Sequence, residues 1–600
     1  MKLSESLLCL FPLVAVAYAS PSSPPSTPST GSYPSLADQQ ILAEPFPYIF
    51  NDQTSDDPFP MPLCKGQVLE EASIDDMQGW MSSGKMTAVD LLTCYITRYD
   101  QVDWYINSIL QLNPDALAIA KLTDDERAAG RVRGPLHGIP FLVKDNYATK
   151  DKMETTAGFW GLVGNIVPRD AHVVKGLRDA GGVLFGHATL TEWAGMRSNN
   201  YSEGYSPRGD QTRSPYNLTV NPGGSSSGPA VAVTGNQIPI AIGTETDGSI
   251  INPAERNAVV GIKPTVGLTS RAGVIPGSHS QDSTGPFGKT VRDAVYALDA
   301  MYGPDSNDNY TLAQIGKTPE GGYAQFLTDK SALKGAVFGL PWLSLWNVNK
   351  APGQNDALAE LIALIESAGA TIINGTELPS WETTIPPDGW NWDYGTTRGY
   401  PNESEFTVVR SDFYNDIRAY LSELNNTNLR SLEDIVDYGI ENFGSEGGLP
   451  GIHPAYGSGQ DNFLTYNEVK GVYNETYWQA KEFIRRTSQE EGIDGALAAI
   501  PPNHASGKKR LDALLAPPDV STLLDSHHYC SPVSFLRLPK YHTHKILGRT
   551  VLLRCSSSRV SPDNPPRRRW WRTLIQHAIR PDAHGQRLGR SHIDKICIGN

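Results

Sequence analysis

Lys144, Ser225, Ser226 and Ser249 are the residues whose types and spacing could do chemistry together. Lys144 lies near the end of RGPLHGIPFLVKDN, residues 133–146, directly after an apolar run. A lysine in that setting loses solvation of its ammonium, which favours the neutral amine and makes it a candidate base. Standing alone, it reads more simply as a lysine that keeps its head in water. Ser225 and Ser226 belong to PGGSSSGPAVAV, residues 222–233. Glycines before serines let the backbone approach a ligand and can line up N–H groups as an anion-binding nest. By composition the same stretch is also a flexible Gly/Ser loop. It lacks the Gly-Lys-Ser/Thr ending of a nucleotide-binding loop. Ser249 sits in GTETDGSIINPA, residues 243–254, after the apolar run 238–242. A serine beside glycine just past a buried strand is placed as a nucleophile, with successive amides aimed at a developing oxyanion. The simpler reading is an ordinary strand-to-turn connection. Residues 224–228 also match the G-x-S-x-G elbow of another hydrolase class. That elbow needs a buried strand running into it, and residues 217–222 are too polar and too short.

These side chains need elements to hold them. Short apolar runs at 139–143, 183–185, 238–242 and 259–262 read as buried strands, with helical stretches such as 170–180 between them. Upstream, Ala88, Leu91, Leu92, Tyr95 and Ile96 recur at helical spacing, with Thr87 as the cap. Residues 115–130 read as a further helix ending at Gly130. Short strands alternating with helices indicate an α/β fold with a largely parallel or mixed sheet. Residues 320–500 look more helical and loop-rich, and no internal repeat is visible. Trp342, Trp346, Trp390 and Trp392 there are candidate walls of an apolar pocket, and equally ordinary core or surface aromatics.

In their joint order the chemical segments resemble the amidase signature family. That pattern runs GPLHGIPxxxKDN, GGSSxG, TDGS or TGGS, then GxKPTxG, the last present here as residues 261–267. Ser249 follows Ser225 by 24 residues, the step the family keeps between its two serines. Residues 155–158, 177–181, 191–194 and 278–282 are similar to further family blocks. The resemblance covers about residues 68–517 and is to secreted fungal members, bacterial peptide amidases and fatty acid amide hydrolase. It implies a single large domain with a mixed, twisted central sheet flanked by helices. It implies Ser249 as nucleophile, Ser225 after a cis peptide bond as proton relay, and Lys144 as base. Ser226 would support them, and the amides of Thr246, Asp247, Gly248 and Ser249 would form the oxyanion hole. The implied reaction is hydrolysis of a carboxamide C–N bond to a carboxylic acid and ammonia or amine. The implied substrate is a small-molecule or peptide amide. The alternative is a non-catalytic secreted relative, inactivated by a defective C-terminus, that binds amides without turnover. Neither a cofactor nor a metal is expected. The 13 histidines form no HExxH pattern. His527, His528 and Cys530 adjoin without a second ligand pair, and His137 is expected to be structural. Several positions depart from the pattern: residues 186–189 read GHAT where the family has GKTN, and Asn252, Glu255, Gly277, Gly288 and Lys289 also differ.

The chain of 600 residues, 39% apolar, can bury a large core. Its net charge of −14 argues against nucleic acid as a partner. Lys2, the apolar run 7–19 and Ala17-Tyr18-Ala19 read as a signal peptide over 1–19, too short for a membrane span. Residues 20–35 read as a disordered Pro/Ser/Thr-rich leader, and 36–517 as the amidase domain, with the signature core at about 133–300. No later stretch is a candidate span, so the expectation is a secreted, extracellular protein. Seven Asn-X-Ser/Thr triplets, at Asn200, Asn217, Asn309, Asn374, Asn402, Asn425 and Asn474, fit that route. Cys64, Cys94, Cys530, Cys555 and Cys597 remain after the leader, too few for a disulfide scaffold. A Cys64–Cys94 bridge is compatible with the sequence but not readable from it, and oligomeric state is not legible. Residues 518–600 break the pattern: from Arg537 on there are 14 Lys/Arg against 3 Asp/Glu, a balance of +11, so the preceding residues carry −25. Two family strands expected after residue 517 are absent. The segment reads either as a basic tail for polyanions or as a translated frame shift or retained intron. The second reading is preferred, because the change coincides with the missing strands and no apolar period follows.

Overall fold

The computed structural model describes residues 59–346, 354–384, 399–500 and 506–517. The expected signal peptide and leader, Trp390, Trp392, the His527–His528–Cys530 group and the basic tail lie outside the described residues. The chain divides into two units, Met1–Pro60 and Met61–Asn600, and all described secondary structure belongs to the second.

Helices α1 (Ile74–Ser82) and α2 (Ala88–Ile106) open the fold. Thr87 caps α2 as expected: its hydroxyl accepts the Asp90 N–H at 3.0 Å, and the Asp90 carboxylate returns a bond to the Thr87 N–H. A Cys64–Cys94 disulfide, with Cα atoms 5.8 Å apart, ties the segment before α1 to α2. Strand β1 (Ile109–Leu112), helix α3 (Ala116–Ala128) and strand β2 (Pro140–Lys144) follow. Then come α4 (His172–Asp179), β3 (Val183–Ala188), α5 (Ser227–Thr234), β4 (Ile240–Glu245) and α6 (Ile251–Arg256). Strands β5 (Val260–Gly261) and β6 (Ser283–Gly288) and helix α7 (Val291–Met301) complete this half.

The six strands form one mixed sheet in the order β1-β3-β2-β4-β6-β5. β2 runs parallel to both β3 and β4, while β1, β5 and β6 join antiparallel. Every residue of β2, β3, β4 and β6 is buried, which is why β2, β3 and β4 read as near-continuous apolar runs. Strand β6, STGPFG, was not among the expected strands because glycine and proline are poor strand formers. Packing explains it. A Cβ on Gly285 would lie 2.0 Å from the Ile262 carbonyl oxygen, so only glycine fits there. Pro286 accepts the Ile262 N–H at 3.0 Å.

The region beyond residue 320 differs from the expectation of helices and loops. It holds a second sheet in the order β8-β7-β9, all parallel, from β7 (Val337–Leu340), β8 (Thr371–Asn374) and β9 (Ala513–Leu514). Helix α8 (Gln354–Ser367) joins β7 to β8. Helices α9 (Glu405–Glu423), α10 (Leu432–Glu441), α11 (Asp461–Val469) and α12 (Glu475–Arg485) form the helical part that was expected. Phe413, Ile417, Phe463 and Tyr466 from these helices share one core with Phe159, Leu162 and Trp193 from the loops above the central sheet. Each fully buried side chain of this size contributes about 1.5–3 kcal/mol. Trp346 belongs to the core of the second sheet, and Trp342 stacks on it at 6.1 Å with 42% of its surface exposed.

Candidate active site

Lys144 is the last residue of β2 and is wholly buried. Its Nζ donates to Ser225 Oγ at 2.6 Å, to Thr244 Oγ1 at 2.9 Å and to Ser226 Oγ at 3.1 Å. These hydroxyls and the Thr244 carbonyl at 3.5 Å are all neutral, so no carboxylate neutralises the ammonium by contact. Burial therefore dominates and brings the lysine pKa down to about 7, against the pull of Glu203, Asp282 and Glu245.

Ser225 and Ser226 lie on the turn that enters α5, and the Gly224–Ser225 peptide bond is cis. The Ser225 carbonyl accepts the Thr191 N–H at 3.1 Å. Ser226 Oγ donates to the Thr244 carbonyl at 3.0 Å, and the Ser226 N–H donates to the Ser249 carbonyl at 3.2 Å. Ser226 thus ties together the lysine, the end of β4 and the Ser249 loop. Ser249 lies between β4 and α6, is 7% exposed, and its Oγ faces the Asp247 carbonyl at 3.5 Å. No hydrogen bond joins Ser249 to Ser225 among the described residues.

The loop 246–249 is braced from below and from the side. Glu245 accepts the Ile250 N–H at 2.7 Å and the Ile251 N–H at 3.0 Å, and the Gly248 N–H also points at this carboxylate. The Gly248 amide, expected in the oxyanion hole, is instead turned inward to Glu245, while the N–H groups of Asp247 and Ser249 have no backbone acceptor among the described residues. Thr246 Oγ1 donates to Asp282 at 2.6 Å, and Asp282 also accepts the Gly277 and Ser278 N–H groups. Burial, then the like charges of Glu405 and Glu245, push the Asp247 carboxyl well above its usual range.

Sequence reasoning assigned no role to Thr244, Asn146, Thr191, Glu203 or Asp282. Thr244 and Asn146 lie inside the motifs and bond one another, Asn146 Nδ2 to Thr244 Oγ1 at 3.0 Å. The off-pattern residues have identifiable partners. His187 reaches Asp145 Oδ1 with Nδ1 at 2.8 Å and Thr149 Oγ1 with Nε2 at 2.9 Å. Asn252 Oδ1 accepts the Gly224 N–H at 3.2 Å, next to the cis bond. Glu255 is buried. His137 is buried with Nε2 2.9 Å from the Thr123 carbonyl, a structural placement as expected. Among the described residues no cluster of three or more His, Cys, Asp or Glu could hold a metal ion.

A buried lysine whose pKa is lowered to about 7, in contact with two serine hydroxyls, has the parts that acyl transfer requires. The amidase family model matches residues 90–426. The chain is 59% identical over 475 residues to the "Putative amidase C869.01" of Schizosaccharomyces pombe, covering 79% of this chain and 80% of that one. The crystal structure of the native peptide amidase from Stenotrophomonas maltophilia superposes with a TM-score of 0.64 at 34% identity, covering 80% of this chain and 90% of that one. A peptide amidase in complex with the competitive inhibitor chymostatin gives 0.63 at 37% identity, over 74% of this chain and 83% of that one. On sequence and fold together, the chain belongs to the amidase signature family and is an amidase.

Proposed function

We propose that the chain hydrolyses linear carboxamides through an acyl-enzyme on Ser249, with Ser225 as proton relay and Lys144 as base. The observation that carries this reading is the 2.6 Å contact of a fully buried Lys144 with Ser225, at a lysine pKa near 7. A large fraction of the amine is then neutral at neutral pH. In the attack, Ser249 Oγ bonds to the carbonyl carbon, its proton passes to Ser225, and the Ser225 proton passes to Lys144. The carbonyl electron pair moves to oxygen, where the amides of Thr246, Asp247 and Ser249 would receive it. The C–N bond then breaks as the proton returns through Ser225 to the leaving nitrogen. Water repeats the sequence to release the acid. Catalytic hydrogen bonds of this kind tighten once substrate is bound, which accounts for a Ser249 that does not yet reach Ser225.

The test is ammonia release from a panel of aliphatic, aryl and peptide amides by wild type, Ser249→Ala and Lys144→Ala. Turnover by wild type alone supports the reading. Equal release by all three rejects it and leaves a binding protein. The peptide amidases among its relatives favour small-molecule or peptide amides as the class.

We also read the protein as exported and glycosylated. Asn217, Asn309, Asn425 and Asn474 are exposed, and Asn217 Oδ1 accepts from Thr219 Oγ1 at 2.8 Å. Protein recovered from the culture medium of a eukaryotic host should drop in mass on enzymatic removal of N-glycans. Unchanged mass would remove this reading.

A further inference from the structure

Glu203 lies outside every motif that marks the site, in the loop before the short hairpin Tyr205–Ser206/Asp210–Gln211. Its Oε1 accepts the Thr191 hydroxyl at 2.5 Å, and that hydroxyl accepts the Gly204 N–H at 2.9 Å. The Thr191 N–H in turn holds the Ser225 carbonyl at 3.1 Å. A Cβ on Gly224 would lie 1.9 Å from Glu203 Oε1 and 2.6 Å from Thr191 Oγ1. The carboxylate therefore rests directly on the Gly224 α-carbon, against the peptide that presents Ser225. Asn252 grips the same peptide through the Gly224 N–H at 3.2 Å.

The charges around the lysine give this contact a second meaning. The acidic groups bearing on Lys144 are Glu203, Asp282 and Glu245, with Glu203 the strongest of the three. Asp282 is engaged with Thr246, Gly277 and Ser278, and Glu245 with Ile250 and Ile251. Glu203 itself faces Arg256 and Lys144. Burial raises its pKa, and the Thr191 hydroxyl and these two cations offset part of that rise. When Lys144 takes a proton from Ser225 it becomes a buried cation, and a nearby fixed anion stabilises that state at the moment it forms.

We propose that Glu203 is a positioning residue of this amidase, which holds Ser225 through Thr191 and supplies the charge against which Lys144 carries its proton. The inference rests on Lys144 acting as the base. It assigns Glu203 two separable effects, one geometric and one electrostatic.

The experiment follows the rate at which a fluorophosphonate probe labels the full-length protein between pH 5 and 9, so that no substrate need be known. Wild-type labelling should rise through the Lys144 titration and vanish in Ser249→Ala. Labelling that survives Ser249→Ala overturns the nucleophile reading and this inference with it. Glu203→Gln keeps the shape and removes the charge. Its acid limb should move to lower pH by roughly one unit, and its plateau should fall several-fold. A limb that superimposes on wild type, in a protein that melts like wild type, overturns the proposal while leaving the nucleophile intact. Thr191→Val keeps the charge and cuts the link, so it should lower the plateau without moving the limb. A moved limb, or an unchanged plateau, also overturns the proposal, and this variant decides the matter if Glu203→Gln fails to fold.

Discussion

The six-stranded and three-stranded sheets both contain parallel strand pairs, but they sit in different surroundings. In the central sheet, β2, β3, β4 and β6 are buried at every position. In the smaller sheet, β8 is exposed or half-buried throughout and β9 contributes two residues. A lysine at the end of β8 would keep its water and its ordinary charge. At the end of β2 it cannot, and the shift of Lys144 to about 7 follows from that position. The comparison teaches that the lowered lysine pKa is a property of the sheet as much as of the residue type.

The largest expected effect lies at the end of the central sheet. Ser249→Ala should lower kcat for ammonia release by about 10⁴-fold or more with little change in melting temperature. A comparable fall in stability would mean that the serine is structural. Next come the strands themselves. Leu142→Ala, in the wholly buried β2, should cost about 2–5 kcal/mol in urea unfolding. Ile372→Ala, half-buried on β8, should cost about 1 kcal/mol or less. Equal costs would erase the distinction between the sheets. A further effect is a difference between two pH values. The Lys144 pKa is depressed from 10.5 to about 7, so the unfolded chain holds this proton more tightly than the folded one. The resulting penalty is full below pH 7, shrinks as pH rises toward 10.5, and is gone above it. Lys144→Met should therefore raise Tm more at pH 6 than at pH 9, and the reverse order would contradict a desolvated lysine.

The readability of these parts from sequence follows the same divide. Buried strands advertise themselves as apolar runs, so β2, β3 and β4 were legible to within a few residues, and with them the stations of Lys144 and Ser249. Ser226 was legible as a supporting side chain because it lies in the same motif as Ser225. Strand β6 was not, because Gly285 and Pro286 answer to a tight fit against Ile262 rather than to strand propensity. The half-exposed β8 shows no long apolar run and was absorbed into a region that reads as helical. Glu203 escaped for another reason, because its contacts reach across the fold and no local pattern marks it, while Asn252 stood out only as a departure from the family pattern. His187 was noticed only as a misfit, and its use became clear once Asp145 and Thr149 were found on its two ring nitrogens.

The pairing of β2 with its neighbours sets Phe141 opposite Ile240, Val143 opposite Ile242, and Lys144 opposite Ala188. Side chains alternate along a strand, so a slip of one residue would turn Lys144 to the opposite face and displace it by about 3.3 Å. Every catalytic side chain would still be present in the gene, and every motif would still be found by eye. Strand alignment is thus a heritable part of the chemistry that no residue-by-residue inventory contains. A single-residue insertion within β2 ahead of Lys144 would keep every catalytic side chain and should still silence the enzyme, because it changes both the motif's spacing and the face on which Lys144 stands.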